Sequence, residues 1–325
     1  MAHIAIFPSP GLSPASTFVG IMPHREDIET DGAPSFQIRA PREQKLPFVY
    51  ASPHSGTAYP ADFVAEARLD PVTLRRSEDS FVDQIFGAAP TFGAPLIRAL
   101  FPRVYLDLNR EPYELDPAMF DDALPRFANI ASARVSVGLG TIARVVSSGA
   151  DIYRRKLNYA EADRRIETLY FPYHAALKQL LVATRARFGG AVLVDCHSMP
   201  STGGPMDDDS GRSRCDIVLG DRFGSSCDPA ITALAEKVLR EMGYRVTRND
   251  PYAGGFVTQN YGRPAEGFHS LQIEINRGLY MDEARIAPAS GLSRLQRDMT
   301  VLIRRLGLLD ARILAPSEPL PNAAQ

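Results

Sequence analysis

The stretch His269-Ser-Leu-Gln272-Ile-Glu274-Ile-Asn276-Arg277 constrains this chain more than any other. Leu271, Ile273 and Ile275 alternate with Gln272, Glu274 and Asn276, the period of two expected of a half-buried strand. An acid beside an amide, with an arginine at the strand's end, points to a site. Two other stretches share this character, Val49-Tyr-Ala-Ser-Pro-His54-Ser-Gly56 and Ala191-Val-Leu-Val-Asp195-Cys-His197-Ser198. In both, an apolar run stops at a histidine, where an open α/β sheet places its ligand-binding loops.

The remaining elements follow from pattern. The core is expected to begin at Leu46, with residues 1–45, rich in Pro, Gly, Ser and Thr, forming a partly ordered arm. Apolar residues at helical spacing place a helix over residues 74–86 and a longer one over 152–188, bent or divided at Pro172. Residues 103–108 read as a strand by their β-branched and aromatic content, and the proline-rich run 111–127 as loop. Strands are expected at 191–195, 215–220, 244–247 and 268–276, with a Gly/Ser/Asp-rich loop over 198–212 and a glycine-rich one over 251–267. Asp228 as cap, Pro229 at the first helical position and Gly243 past the end bracket a helix over 229–242. Leu292, Leu295, Met299, Leu302 and Leu306 mark a last amphipathic helix, and the segment 313–325 is expected to be disordered. Strands alternating with helices imply an α/β fold, with residues 46–312 as one α/β domain.

Composition narrows the function classes. A formal charge of −2, with basic residues spread evenly, provides no field for nucleic acid or an anionic membrane. No apolar run approaches the roughly 18–20 residues that span a bilayer. The N-terminus lacks a basic start and carries two prolines within its first ten residues, so no signal peptide is read and a cytoplasmic location is expected. Three cysteines, Cys196, Cys215 and Cys227, form no CxxC pair, in keeping with a reducing compartment. The expected partner is a small molecule, and homo-oligomerisation is left open.

His54 and His197 are two of only six histidines, each following an apolar strand. Singly, each is more often a hydrogen-bonded loop residue. Together, with Asp195 and Glu274 in similar places, they point to a metal site, since neutral imidazole is the commonest ligand for zinc. Glu274 suits a general base acting on water, or else a partner for Arg277 or Arg263. Asp195 suits an acceptor orienting an imidazole. Arg110 and Arg277 each follow an asparagine, Asn109 and Asn276, at strand ends, where a guanidinium can grip a carboxylate or steady an oxyanion. Arg144, after Gly138-Leu-Gly140, is a weaker candidate of the same kind. Ser55, Ser198 and Cys196 adjoin histidines directly, and adjacent side chains on an extended chain diverge, which disfavours a nucleophile there.

These stretches, with Glu78-Asp79, Val82-Asp83 and Asp107-Leu-Asn109-Arg110, resemble the N-formylglutamate amidohydrolase family over about residues 46–309. The resemblance implies a three-layer α/β/α sandwich with a mixed, mostly parallel sheet, distantly similar to zinc carboxypeptidases. It implies one catalytic Zn2+ that activates a water toward an amide or formamide carbonyl, and a place in histidine degradation. Carried over residue by residue, His54 and His197 match the histidine ligands, Asn109-Arg110 the substrate-side pair and Glu274 the base. Carboxypeptidases have a glutamate three residues after the first histidine, where this chain has Thr57. The carboxylate ligand must come from elsewhere, and Asp79 is chosen over Glu78 and Asp83. Arg110, Arg144 and Arg277 remain the cations for an oxyanion or substrate carboxylate. The expected reaction is hydrolysis of N-formyl-L-glutamate to L-glutamate and formate. The alternatives are a hydrolase of another N-acyl amino acid or peptide, or a non-catalytic metal- or acidic-ligand-binding relative.

Overall fold

A computed structural model describes residues 29–30, 33–205 and 207–316. Seven strands form the central sheet: β1 (Phe36–Arg39), β2 (Phe48–Ser52), β3 (Leu96–Ala99), β4 (Ala191–Met199), β5 (Ile217–Gly220), β6 (Val246–Arg248) and β7 (Phe268–Asn276). Their spatial order is β1-β3-β2-β4-β7-β5-β6. β3, β2, β4 and β7 run parallel in turn, and β5 pairs parallel with β6, while β1 and β5 join their neighbours β3 and β7 antiparallel. The sheet is therefore mixed and mostly parallel.

Helices cover both faces, which is why the central strands are buried throughout. On one face, Val49, Ala51, Ile97 and Leu193 pack with Ile166, Leu169, Tyr173, Leu177 and Leu181 of the long helical segment over 159–188. On the other, Val194, Cys196, Leu271, Ile273 and Ile275 meet helices Pro229–Glu241 and Leu292–Leu306 through Ile231, Ala235, Val238, Leu295, Met299 and Leu302. Alternation along β4 and β7 thus sends Val192, Val194, Cys196, Leu271, Ile273 and Ile275 into the second core and leaves Asp195, His197, Gln272 and Glu274 on the first face with Ala191 and Leu193. Among the described residues, no helix is long and apolar enough to cross a membrane.

Several elements differ from the sequence expectation. Residues 36–39, assigned to the arm, are a sheet strand, and Leu314, assigned to the tail, is fully buried in the second core. Residues 1–28 and 317–325 lie outside the described residues. β3 was not among the expected strands. Residues 103–108 form a turn rather than a strand, with Tyr105 N–H bonded to the Pro102 carbonyl at 3.0 Å. Their apolar side chains are buried on several sides without a ladder, so composition reported burial and not pairing. The helix expected over 74–86 is two short ones, Pro71–Arg75 and Val82–Ile85, and the glycine-rich loop holds a helix at Phe256–Tyr261.

The segment over 159–188 opens with a capping box between Asn158 and Glu161 and ends at Gly189 with φ 83°. It contains a π turn, Ile166–Tyr170, directly before Pro172. Proline has no N–H for the carbonyl four residues back and crowds it, and a wider turn relieves both conflicts.

His174, on this helix, holds the turn that carries Asp107 and Asn109. Its Nε2 donates to the Leu108 carbonyl at 3.0 Å, and Nδ1 lies 2.9 Å from the Tyr261 hydroxyl. Burial drives its pKa down to about 4. An exposed histidine titrates near 6.5, so as pH falls from about 6.5 toward 4 the unfolded chain binds a proton that the folded chain refuses. Stability is therefore complete above that window and declines through it, by about 3 kcal/mol in total. Urea unfolding from neutral to mildly acid pH checks this: the H174Q variant is expected to show a flatter decline than the wild type.

Candidate active site

Three strand ends converge on one cleft. β4 and β7 lie in register with Asp195 opposite Gln272 and His197 opposite Glu274, so four polar side chains stand side by side on one face. His54 follows the end of β2, the neighbour of β4 on its other side. After it, the chain passes so close to the 100–101 backbone that a Cβ on Gly56 would lie 2.2 Å from the Phe101 carbonyl oxygen. Only glycine fits there.

Asp79 completes the cluster from the junction between the two short helices, not from within a helix as expected. Its N–H donates to the His54 carbonyl at 2.9 Å, which pins the junction to the strand end. Its Oδ2 faces His54 Nδ1 at 3.3 Å and His197 Nδ1 at 3.0 Å. Its Oδ1 accepts from Arg277 Nη2 at 3.0 Å and from Ser198 Oγ at 3.3 Å. Thr57, at the position of the carboxypeptidase glutamate, is exposed. Of the other acids weighed, Glu78 is taken up by Tyr59, Arg75 and Ser80, and Asp83 by Arg98.

His54, Asp79 and His197 are buried and offer ligand atoms that all lie within 4.8 Å of one another. Two imidazoles and a carboxylate match the mixed nitrogen and oxygen donor set of a catalytic zinc site, so the residues fit such an ion. Electrostatics agree. Burial works against charge on His197, yet Asp195, Asp79 and Glu274 hold its pKa well above the ordinary value. That surplus negative charge is what a divalent cation would neutralise.

Each histidine is backed by a second acid. His54 Nε2 lies 2.7 Å from Asp107 Oδ1, and Asp107 also takes Arg103 Nη2 at 2.8 Å through Oδ2. Burial opposes ionisation of Asp107, but Arg103, Arg110 and His54 keep its pKa well below the usual carboxylate range. Asp195 Oδ1 sits 2.9 Å from His197 Nε2, at an angle that makes no hydrogen bond.

Glu274 is the opposite case. Burial raises its pKa, Asp79 adds to the rise, and His197, Arg103 and Arg277 pull it back, leaving it at about 7. Its Oε1 accepts from Gln272 Nε2 at 3.0 Å. A carboxylate poised there can take and return a proton near neutral pH.

The cleft has a volume of about 440 Å³ and is lined by His54, Asp107, Arg110, His197, Glu274 and Arg277, among others. Arg110 is anchored by the carbonyls of Leu139 at 2.8 Å and Asn109 at 2.7 Å. Asn109 Oδ1 accepts from Val257 N–H at 2.8 Å while its Nδ2 lies 3.4 Å from His197 Nε2, so its amide fixes local structure beside the histidine. Arg277 is committed to Asp79, Ser198 and the Arg76 carbonyl. Arg144 is not brought to the cleft: it binds Asp116 at 2.7 Å and Asp151 at 3.1 Å, and those local acids outcompete a distant substrate. Arg103, Asp107 and Gln272 escaped assignment of a role. Asp107 and Gln272 lie in the stretches that carry the family resemblance, and the local signal for Arg103 was an acid four residues on.

Sequence relatives match this chain over most of their length. The N-formylglutamate amidohydrolase family pattern matches residues 46–281. The N-formylglutamate deformylase of Pseudomonas putida is 28% identical over 265 residues, spanning 81% of this chain and 91% of that protein. The enzyme of the same name from Pseudomonas aeruginosa PAO1 is 30% identical over 269 residues, with the same coverage. The crystal structure of N-formylglutamate amidohydrolase from Ralstonia eutropha JMP134 superposes with a TM-score of 0.78 at 42% identity, covering 84% of this chain and 97% of that one. The chain belongs to the N-formylglutamate amidohydrolase family, a family of enzymes.

Proposed function

We propose that this protein is a zinc-dependent amidohydrolase that converts N-formyl-L-glutamate and water to L-glutamate and formate. The observation that carries the proposal is the buried His54–Asp79–His197 cluster beside a cleft-facing Glu274 whose pKa lies at about 7, in a chain of this family. His54, Asp79 and His197 would hold the ion, which when bound supplies Lewis acidity to the formyl carbonyl and the attacking water.

The remaining work falls to the chain's own side chains. Arg277 holds Asp79 through Oδ1 and leaves Oδ2 directed at both histidines. Asp107 backs the far edge of the His54 imidazole and sets its orientation, and Asp195 places a carboxylate beside the far edge of His197. Glu274 takes a proton from water as the water oxygen bonds to the formyl carbon. It then returns that proton to the departing amine nitrogen as the C–N bond breaks. Arg110, half-buried at the cleft wall, takes the substrate's α-carboxylate or steadies the oxyanion.

Four outcomes test this. Removing Glu274's proton transfer in E274Q is expected to lower kcat by about 10²–10⁴-fold with zinc content unchanged. The wild type's kcat/KM should fall toward acid pH along a limb at or below about 7, because a bound cation favours the Glu274 carboxylate, and E274Q should lose that limb. An unchanged rate in E274Q would remove Glu274 from the reaction. Separately, formate release should cease on chelation and return with added zinc. D79N should bind zinc more weakly, read as a raised free-zinc concentration for half-maximal activity and lower zinc per chain by elemental analysis.

A further inference from the structure

Five arginines line the cleft: Arg76, Arg103, Arg110, Arg134 and Arg277. Arg277 is held by Asp79, and Arg103 by Asp107, with Arg110 3.6 Å from the same Asp107 oxygen. Arg134 and Arg76 form no ion pair among the described residues and both are exposed, and Arg134 also borders a second hollow with Asp207, Asp208, Asp209 and Asp250.

Arg134 differs from Arg76 in what it faces. Burial lowers the pKa of Arg110, Asp107 opposes that, and Arg134 lowers it again. Two like charges therefore act on each other across the cleft wall, with one carboxylate, Asp107, divided among Arg103, Arg110 and His54. An anion between Arg110 and Arg134 would relieve that repulsion. Arg103 lowers the Arg110 pKa as well, and Glu114 raises it.

The lip that carries Arg134 is built rather than loose. Ser132 Oγ caps the helix Ala133–Ser136 by accepting from Val135 N–H at 3.0 Å, and the same hydroxyl donates to buried Glu114. Leu139 N–H returns to the Arg134 carbonyl at 2.8 Å, and the Leu139 carbonyl is the acceptor for Arg110 Nε at 2.8 Å. Gly140 then passes so near Glu114 that a Cβ would lie 2.2 Å from its carbonyl oxygen. The Arg110 guanidinium and the Arg134 backbone are thereby tied through one residue, with Arg110 at the cleft wall and the exposed Arg134 side chain at the lip.

Two guanidinium groups so arranged suit a ligand with two carboxylates a few bonds apart. We infer that Arg134 is the specificity-determining residue that binds the side-chain carboxylate of a dicarboxylic N-acyl amino acid, an inference that rests on the function proposed above. The neutral amide isostere of that carboxylate would leave Arg134 without its counter-charge.

The test uses zinc-loaded full-length wild type, R134Q, R134K and R76Q with N-formyl-L-glutamate and N-formyl-L-glutamine. R134Q is expected to raise KM for N-formyl-L-glutamate by about tenfold to a hundredfold, with kcat within a few fold, and to leave N-formyl-L-glutamine nearly unaffected. R134K should keep part of the preference and R76Q most of it. Equal losses on both substrates, an unchanged preference in R134Q, or the same loss in R76Q would overturn the assignment. Calorimetric binding of glutarate against its monoamide needs no turnover. If the wild type releases formate from neither formyl compound, the proposed reaction falls and this binding decides Arg134 alone. A preference for glutarate that disappears in R134Q supports it, and a wild type without preference, or R134Q retaining one, refutes it.

Discussion

Burying a carboxylate such as Asp79 costs several kcal/mol unless each oxygen is matched, and the surrounding architecture is arranged to match both. Arg277, from the end of β7, takes Oδ1, and the two histidines, from the ends of β2 and β4, share Oδ2. Ser198 adds a hydroxyl, and the Asp79 N–H ties its own backbone to His54. Three strands and one interhelical junction therefore meet on a single side chain. Burial opposes its ionisation, yet hydrogen bonds from His197 and His54 and the charges of His54 and Arg103 hold its pKa well below the ordinary carboxylate value.

Glu274 stands beside the same histidine with the opposite result. It too is buried, but its hydrogen-bond donor is the neutral amide of Gln272, and Asp79 repels its charge. One acid is thus fixed as an anion while the other rests near its titration point. Carboxylates whose environments push their pKa values apart in this way commonly divide the labour of ligand and proton carrier between them. The division comes from where the hydrogen-bond donors are placed, since His54 and His197 contact Asp79 directly, whereas His197, Arg103 and Arg277 reach Glu274 only through space.

The sheet supplies the precision this requires. β4 and β7 pair through nine residues in parallel register, so a slip of one position would carry His197 and Glu274 into the apolar core beneath the other helices. The aliphatic residues that alternate with them, Val194, Cys196, Ile273 and Ile275, hold the register by burial. Catalytic geometry and core packing are two faces of the same strands. The lip is handled differently, since short capped helices and tight glycine approaches fix it without sheet pairing.

How much of this was legible in the sequence follows from whether the signal is local. Alternation over residues 268–276, the apolar runs ending at His54 and His197, and the Asp228-Pro229 to Gly243 bracket each reflect a periodicity or cap that acts within a few residues, and the elements formed there. The brief strands β1 and β3 were not legible, because they pair with each other across some 60 positions and no local signal marks that pairing. The turn at 103–108 imitated a strand because burial from several sides selects the same residues as a sheet does. His54, His197 and Glu274 could be picked out as polar groups in apolar context. Which acid joins the histidines, which arginine faces the cleft and which is spent on a neighbour were decided only by tertiary structure. Arg144, Arg277 and Arg134 are alike in sequence, and the difference among them is the carboxylate that folding brings, or does not bring, within reach.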